Sequence, residues 1–195
     1  MIRRLIILLL IVGCVFGEET ESLSALTFAS VGMALPNTQI TMKMGNVKYN
    51  KISWFFDIRL GLNTPSDDML YDKSVTFAEE TLGDTKTGEK DDYTSYMAGV
   101  TYGIQPKTAI LIGGGITNLT NYNKYYDSFE ILGDDGKWYV EDDDNSKSDI
   151  SLTAGIIFLN IRFDKSLQPI NIAFSITTAP MNYGVSIGWF LPQPD

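Results

Sequence analysis

Residues 52–63, ISWFFDIRLGLN, constrain the fold of this chain more than any other stretch. Ile52, Trp54, Phe56, Ile58, Leu60 and Leu62 place a large apolar side chain at every second position. Between them stand Ser53, Phe55, Asp57, Arg59, Gly61 and Asn63, mostly small, polar or charged. A period of two sends these sets to opposite faces of a β-strand. One face is greasier than a soluble strand needs, and the other carries an acid and a base two residues apart. A membrane-barrel strand accommodates both, with the apolar face toward lipid and Asp57 and Arg59 toward the lumen.

The same period recurs along the chain. Residues 24–35, 40–46, 52–63, 95–104, 108–117, 150–159, 170–178 and 183–191 give eight candidate strands, separated by turn residues such as Pro36-Asn37, Pro65, Pro106 and Pro180. No stretch sustains a helical period. A tilted bilayer-crossing strand needs about 9–11 residues. The expected fold is therefore all-β, an eight-stranded antiparallel up-and-down transmembrane β-barrel.

Alternation alone fits a soluble barrel or sandwich equally well. Three features favour the membrane. The polar faces are built from Gly, Ser, Thr, Ala and Asn, and the only charges on the candidate strands are Lys43, Asp57 and Arg59. Small residues suit the narrow lumen of an eight-stranded barrel. Short connections near Lys48, Pro106 and Lys165 alternate with connections that include two long ones. Trp54, Tyr102, Phe158 and Trp189 fall on the apolar faces near the short-turn rim, where an interfacial aromatic girdle belongs.

Residues 1–17 read as an export signal, with Arg3 and Arg4 ahead of an apolar run and small Gly13 and Gly17 marking cleavage sites. Residues 11–14, IVGC, also read as a lipidation signal that would make Cys14 the modified first residue. Both processing routes stay open. Cys14 is the single cysteine, so an intrachain disulfide is excluded. The remainder, 18–195, is expected to be one barrel domain with long acidic loops at about 64–94 and 118–149.

The chain has no histidine, which removes Ser-His-Asp chemistry and imidazole metal ligation. Twenty-four acidic against fifteen basic residues argue against nucleic acid as a partner. Each long segment holds nine acids and three lysines, a net charge of −6. A solvated loop explains this, with a surface ligand or divalent cations as the functional alternative. Residues 142–146, DDDNS, start like a calcium loop but lack its glycine at the sixth position and glutamate at the twelfth, so no metal centre is assigned. Gly113-Gly114-Gly115 lacks the spacing of a phosphate-binding loop, and no cofactor is expected. Asp57, Arg59 and Lys43 read as lumen charges that pair across strands, not as catalysts. Tyr122, Tyr125, Tyr126, Phe129, Trp138 and Tyr139 interleave with the second loop's acids, which suits a protruding sheet, a binding patch or, more blandly, aromatic packing within the loop.

Residues 182–189, NYGVSIGW, place Gly184 two positions after a polar residue, with Ile187 and Trp189 spaced by two. This resembles the C-terminal signal read by the barrel-assembly machinery. Over residues 24–191 the chain resembles the small eight-stranded bacterial outer-membrane proteins of the OmpX or OmpA-barrel type. It departs from them in carrying residues 190–195 beyond the terminal aromatic. The resemblance implies an outer-membrane location, contact with outer-membrane lipid and with the assembly machinery, and no enzymatic activity. Lipid A deacylases, palmitoyl transferases and omptin proteases resemble this architecture but use a histidine, so their chemistry does not carry over. A monomer acting in envelope integrity, surface interaction or adhesion is the expectation. The alternatives are a small porin-like pore or hydrophobic-compound conduit, and a soluble or lipid-anchored ligand-binding β-barrel.

Overall fold

The computed structural model describes residues 26–66, 69–133, 135–161 and 168–191. Both processing signals, Cys14 included, and the turn at Lys165 lie outside these residues. Nine strands follow in order: β1 (Leu26–Leu35), β2 (Gln39–Val47), β3 (Ile52–Gly61), β4 (Thr85–Gln105), β5 (Thr108–Tyr126), β6 (Lys137–Glu141), β7 (Lys147–Ile161), β8 (Ile170–Thr178) and β9 (Met181–Phe190). Eight of them, all but β6, form one antiparallel ring in the order β4-β3-β2-β1-β9-β8-β7-β5, which closes through β4 and β5. The seam between the first and last strands runs from Phe28 opposite Phe190 to Leu35 opposite Tyr183. A closed ring leaves no unpaired edge within the bilayer, the condition a membrane-spanning sheet must meet.

The alternation sets the faces as expected. In β3, Phe55, Asp57 and Arg59 are buried in the lumen while Ile52, Trp54, Phe56 and Leu60 are exposed. Met42, Met44, Tyr96, Val100, Ile112, Ile116, Leu152, Ile176, Val185 and Ile187 continue the exposed apolar surface around the ring. A continuous belt of this kind far exceeds the patches soluble monomers display, and lipid is the environment that accepts it. Phe56→Arg, placed in the middle of that belt, is expected to lower stability in lipid vesicles by about 2–4 kcal/mol. Urea unfolding from the vesicles measures this, and an unchanged midpoint would reverse the assignment of faces.

The lumen is filled in layers. At the short-turn end Phe28, Val47, Phe55, Leu111, Ile157 and Leu159 form an apolar plug with Ala109 and Ala173. The small-residue reading of the polar faces did not anticipate this plug, which comes from inward positions of β1, β2, β3, β5 and β7 held by large residues. The ionic layer of Lys43, Asp57 and Arg59 lies above it. Toward the other end, Asn182 Nδ2 donates to Gln39 Oε1 at 2.7 Å and Gln39 Nε2 donates to the Tyr93 carbonyl at 2.8 Å.

Part of each segment read as a loop is strand: residues 85–94 of the first, and 118–126, 137–141 and 147–149 of the second. β4 has 21 residues and β5 has 19, and their ladder continues without a break in direction to Thr85 opposite Tyr126. At about 3.3 Å per residue β4 is about 70 Å long, whereas about 10 residues cross a bilayer. The outer halves therefore stand clear of the membrane. Their backbones pair without any apolar alternation, as Gly88-Glu89-Lys90-Asp91-Asp92 illustrates, so the period that marks the other strands is absent. β6 adds to the far end of β5, with Tyr125 opposite Trp138.

Candidate functional site

The lumen charges come together as a closed unit. Register places Lys43 directly opposite Asp57 across β2 and β3, and Arg59 follows two residues on along the same inward face. Lys43 Nζ lies 3.2 Å and Arg59 Nη2 3.0 Å from Asp57 Oδ2, with all three side chains essentially unexposed. Thr41 Oγ1 donates to Asp57 Oδ1 at 2.7 Å and accepts from Lys43 Nζ at 2.9 Å. Arg59 also donates to Thr177 and Ser175 on the facing strand β8. Every oxygen of Asp57 is thus engaged, and no approach for a substrate is left. These residues brace the barrel wall to wall.

Of the aromatic girdle, Trp54 and Trp189 are about half exposed on the outward face near the short-turn rim, and Tyr102 lies on the strand next to Trp54 with its hydroxyl donating to Asn50 Oδ1. Phe158 differs from the others in being covered. It is 6% exposed and packs edge-on against Phe174, with ring centroids 6.3 Å apart. Its pairing opposite Thr108 and Ile172 keeps it in the outward phase, and the register shift before Ile161, with Asn160 at φ 56°, comes only after it. The terminal-strand signal keeps its phase: Ile187 and Trp189 point outward, and Gly184 sits inward against Ser175 of β8.

The second assembly is the platform on the outer halves of β4 and β5. Trp138 of β6 is its centre, fully buried with Tyr125, Val140 and Ala78. The Tyr125 ring lies 5.3 Å from that of Trp138, and Tyr71 meets it edge-on at 5.6 Å. Residues 69–84 close over this cluster through a π-helical turn, Phe77–Leu82, that ends at Gly83 in the left-handed region at φ 69°. Trp138 Nε1 donates to Asp84 Oδ2 at 3.0 Å, and the Tyr125 hydroxyl donates to Glu79 Oε1 at 2.9 Å. The outer edge of β6 is partly capped, because the Tyr71 N–H donates to the Tyr139 carbonyl at 3.0 Å.

Many acids of the two segments are structural. Asp127 accepts from the backbone N–H groups of Phe129, Ile131 and Leu132 at 2.8–3.1 Å. Asp142 accepts from Asn123 and Asn145, and Asp91 from Asn121. Asp92 accepts from the Asn63 N–H and the Thr64 hydroxyl. Gly61 makes room for that carboxylate, since a Cβ there would fall 1.7 Å from Asp92 Oδ1. Among the described residues no three acids converge on a point that could hold a metal ion. What the platform leaves uncovered is apolar at its tip, with Phe129 82% and Ile131 78% exposed. A recess of about 360 Å³ lined by Leu70, Tyr71, Asp72, Lys73, Glu141 and Asp143 opens beside it.

These bonds give the platform a pH range. The N–H of Phe129 above all, with those of Ile131 and Leu132, holds the Asp127 carboxyl below its ordinary 3.8. Burial pushes Asp142 up, but the bonds from Asn145 and Asn123 outweigh it and leave the net shift downward. Carboxyls depressed in the folded state stabilise it above their ordinary value and release that stability as pH falls through the folded value. Burial, then Glu79, raises Tyr125 from 10.0 to about 12. That contribution is complete below pH 10 and is lost as pH rises through 12, because the unfolded chain loses its proton first. Trp138 emission is expected to hold steady between these limits and to shift red below about pH 3.8 and above pH 10.

No family model matches the sequence, and no curated protein matches it. Solved structures do. Ail, the attachment invasion locus protein of Yersinia pestis, solved with the heparin analogue sucrose octasulfate, superposes with a TM-score of 0.52 at 14% identity, covering 87% of this chain and 100% of that one. The fold is that of an eight-stranded transmembrane β-barrel. A second Ail structure matches at a TM-score of 0.49 and 10% identity, covering 86% of this chain and 95% of that one. Beside that fold the exposed belt, the filled lumen and the projecting platform take their places as wall, brace and outward face.

Proposed function

We propose that this chain is a non-enzymatic outer-membrane protein of a bacterial cell that presents a folded platform for surface interaction or adhesion. The observation that carries the proposal is the platform itself. β4 and β5 run about ten residues past the bilayer and build a second hydrophobic cluster there around Trp138. A barrel serving only as a wall has no use for a core outside the membrane. Exposed Phe129 and Ile131 give that surface the apolar centre of a contact site, with a polar rim around it. The likeness to Ail supports a role in attachment. Ail was solved with a polyanion, whereas the two outer segments here net −6 each, so a protein surface of basic character is the better match for this chain.

The filled lumen favours this reading over the pore or conduit. Phe28, Phe55, Leu111 and Ile157 close one end, and Asp57 joins Lys43 to Arg59 across the middle. The test is adhesion of a non-adherent bacterium expressing the full chain to host-cell and matrix surfaces, compared with the Phe129→Ser/Ile131→Ser variant at equal surface level. Binding that the variant loses is expected, together with no conductance in planar bilayers. Equal adhesion by both, or steady conductance, would sink the proposal.

A further inference from the structure

The outer segments are acidic, and among the described residues the short-turn rim carries Lys48, Lys51 and Lys107. Two of the turns are pressed together. The Asn50 N–H donates to the Gly103 carbonyl at 2.9 Å, and a Cβ on Gly103 would meet the Lys48 carbonyl at 2.6 Å. That close approach, which glycine permits, sets the β2–β3 turn with Lys48 and Lys51 beside the β4–β5 turn with Lys107. Lys48 and Lys51 are exposed, as are Tyr49 and Ile52, while Trp54 stands half exposed just above them.

Trp54 and Tyr102 fix the depth of this patch. Such aromatics settle at the boundary between hydrocarbon and headgroups. Lys51 precedes Trp54 by three residues, about 10 Å along a strand, or about 7–8 Å along the membrane normal at the usual tilt. The headgroup layer is about 5–7 Å thick. The Lys51 backbone therefore stands at the outer margin of the headgroup layer, and its stem is long enough to reach back to the lipid phosphates. We propose that Lys48, Lys51 and Lys107 form a binding site for anionic phospholipid in the leaflet at the short-turn rim, a contact that fixes the depth and direction of the barrel. The site rests on the bilayer placement argued above and on no surface ligand. Its chemistry is that of three ammonium groups around a headgroup with net negative charge, with the acyl chains along Ile52, Trp54 and Val100.

Quenching of tryptophan emission by brominated lipid tests it, because Trp54 and Trp189 lie near this rim and Trp138 does not reach the bilayer. The full chain refolded in phosphatidylcholine vesicles should be quenched more by brominated phosphatidylglycerol than by brominated phosphatidylcholine at equal mole fraction. The expected enrichment is about threefold at low salt, falling as salt rises. The Lys48→Gln/Lys51→Gln/Lys107→Gln variant should quench equally with both lipids, and the matching Lys→Arg variant should keep the preference. Heat-modifiable gel migration confirms that each variant is folded. Equal quenching of the native chain by the two lipids, or a preference that survives the Gln variant, overturns the site alone. Absence of quenching by either lipid overturns the bilayer placement with it.

Discussion

Asp57→Ala is expected to lower the stability of the lipid-embedded barrel by about 3–5 kcal/mol, the usual consequence of removing one member of a buried ionic network. The substitution removes the one anion of the layer. Lys43 and Arg59 are then left facing each other without a counter-charge in a lumen that admits neither solvent nor a rotated side chain. Thr41 also loses its acceptor at 2.7 Å. Replacing all three ionic residues together, Lys43→Met/Asp57→Leu/Arg59→Leu, should cost much less, because an apolar layer of similar volume leaves no orphaned charge. Urea unfolding from vesicles reads both. A single variant no worse than the triple would mean that the network is not closed as described.

The second large effect belongs to the platform. Trp138→Ala should cost about 3–5 kcal/mol of local stability, the range for emptying a fully buried aromatic site. It removes the ring between Tyr125 and Tyr71 and leaves Asp84 without its donor. The loss should stop at the rim, since the membrane ladder below Ser95 and Thr117 shares no side chain with the Trp138 cluster. Amide exchange at residues 122–126 should accelerate strongly while heat-modifiable migration is unchanged. Uniform acceleration through β1 and β9 would show instead that barrel and platform fold as one unit.

The reach of the sequence differs between these two parts for a physical reason. Inside the bilayer every strand meets two unlike media, so alternation is forced, and the phase of residues 52–63 gave both the lipid face and the inward course of Asp57 and Arg59. Its pairing with Lys43 followed from adjacency of β2 and β3. The hydrogen bonds from Arg59 to Thr177 and Ser175 did not, because β8 approaches only through the curvature of the closed ring. Above the membrane both faces of β4 and β5 meet water or loop, and no such forcing acts. Lys86, Glu89 and Lys90 then look like solvated loop although their backbones are fully paired. The aromatics between Tyr122 and Tyr139 were the surviving signal, and a protruding sheet was one of three readings they allowed. Phe158 keeps the outward phase from which its position was inferred, but it is buried with its ring against Phe174.

The seam between β1 and β9 has a consequence for how the chain reaches its destination. Ser30 and Ser186, 156 residues apart, meet across it. Until that last pairing forms, both terminal strands offer open edges and the whole greasy belt faces water, a state that invites self-association. No sub-part of such a ring can shelter its own exterior before closure. Stability here is a property of arrival, conferred when lipid surrounds the circle at the moment it closes.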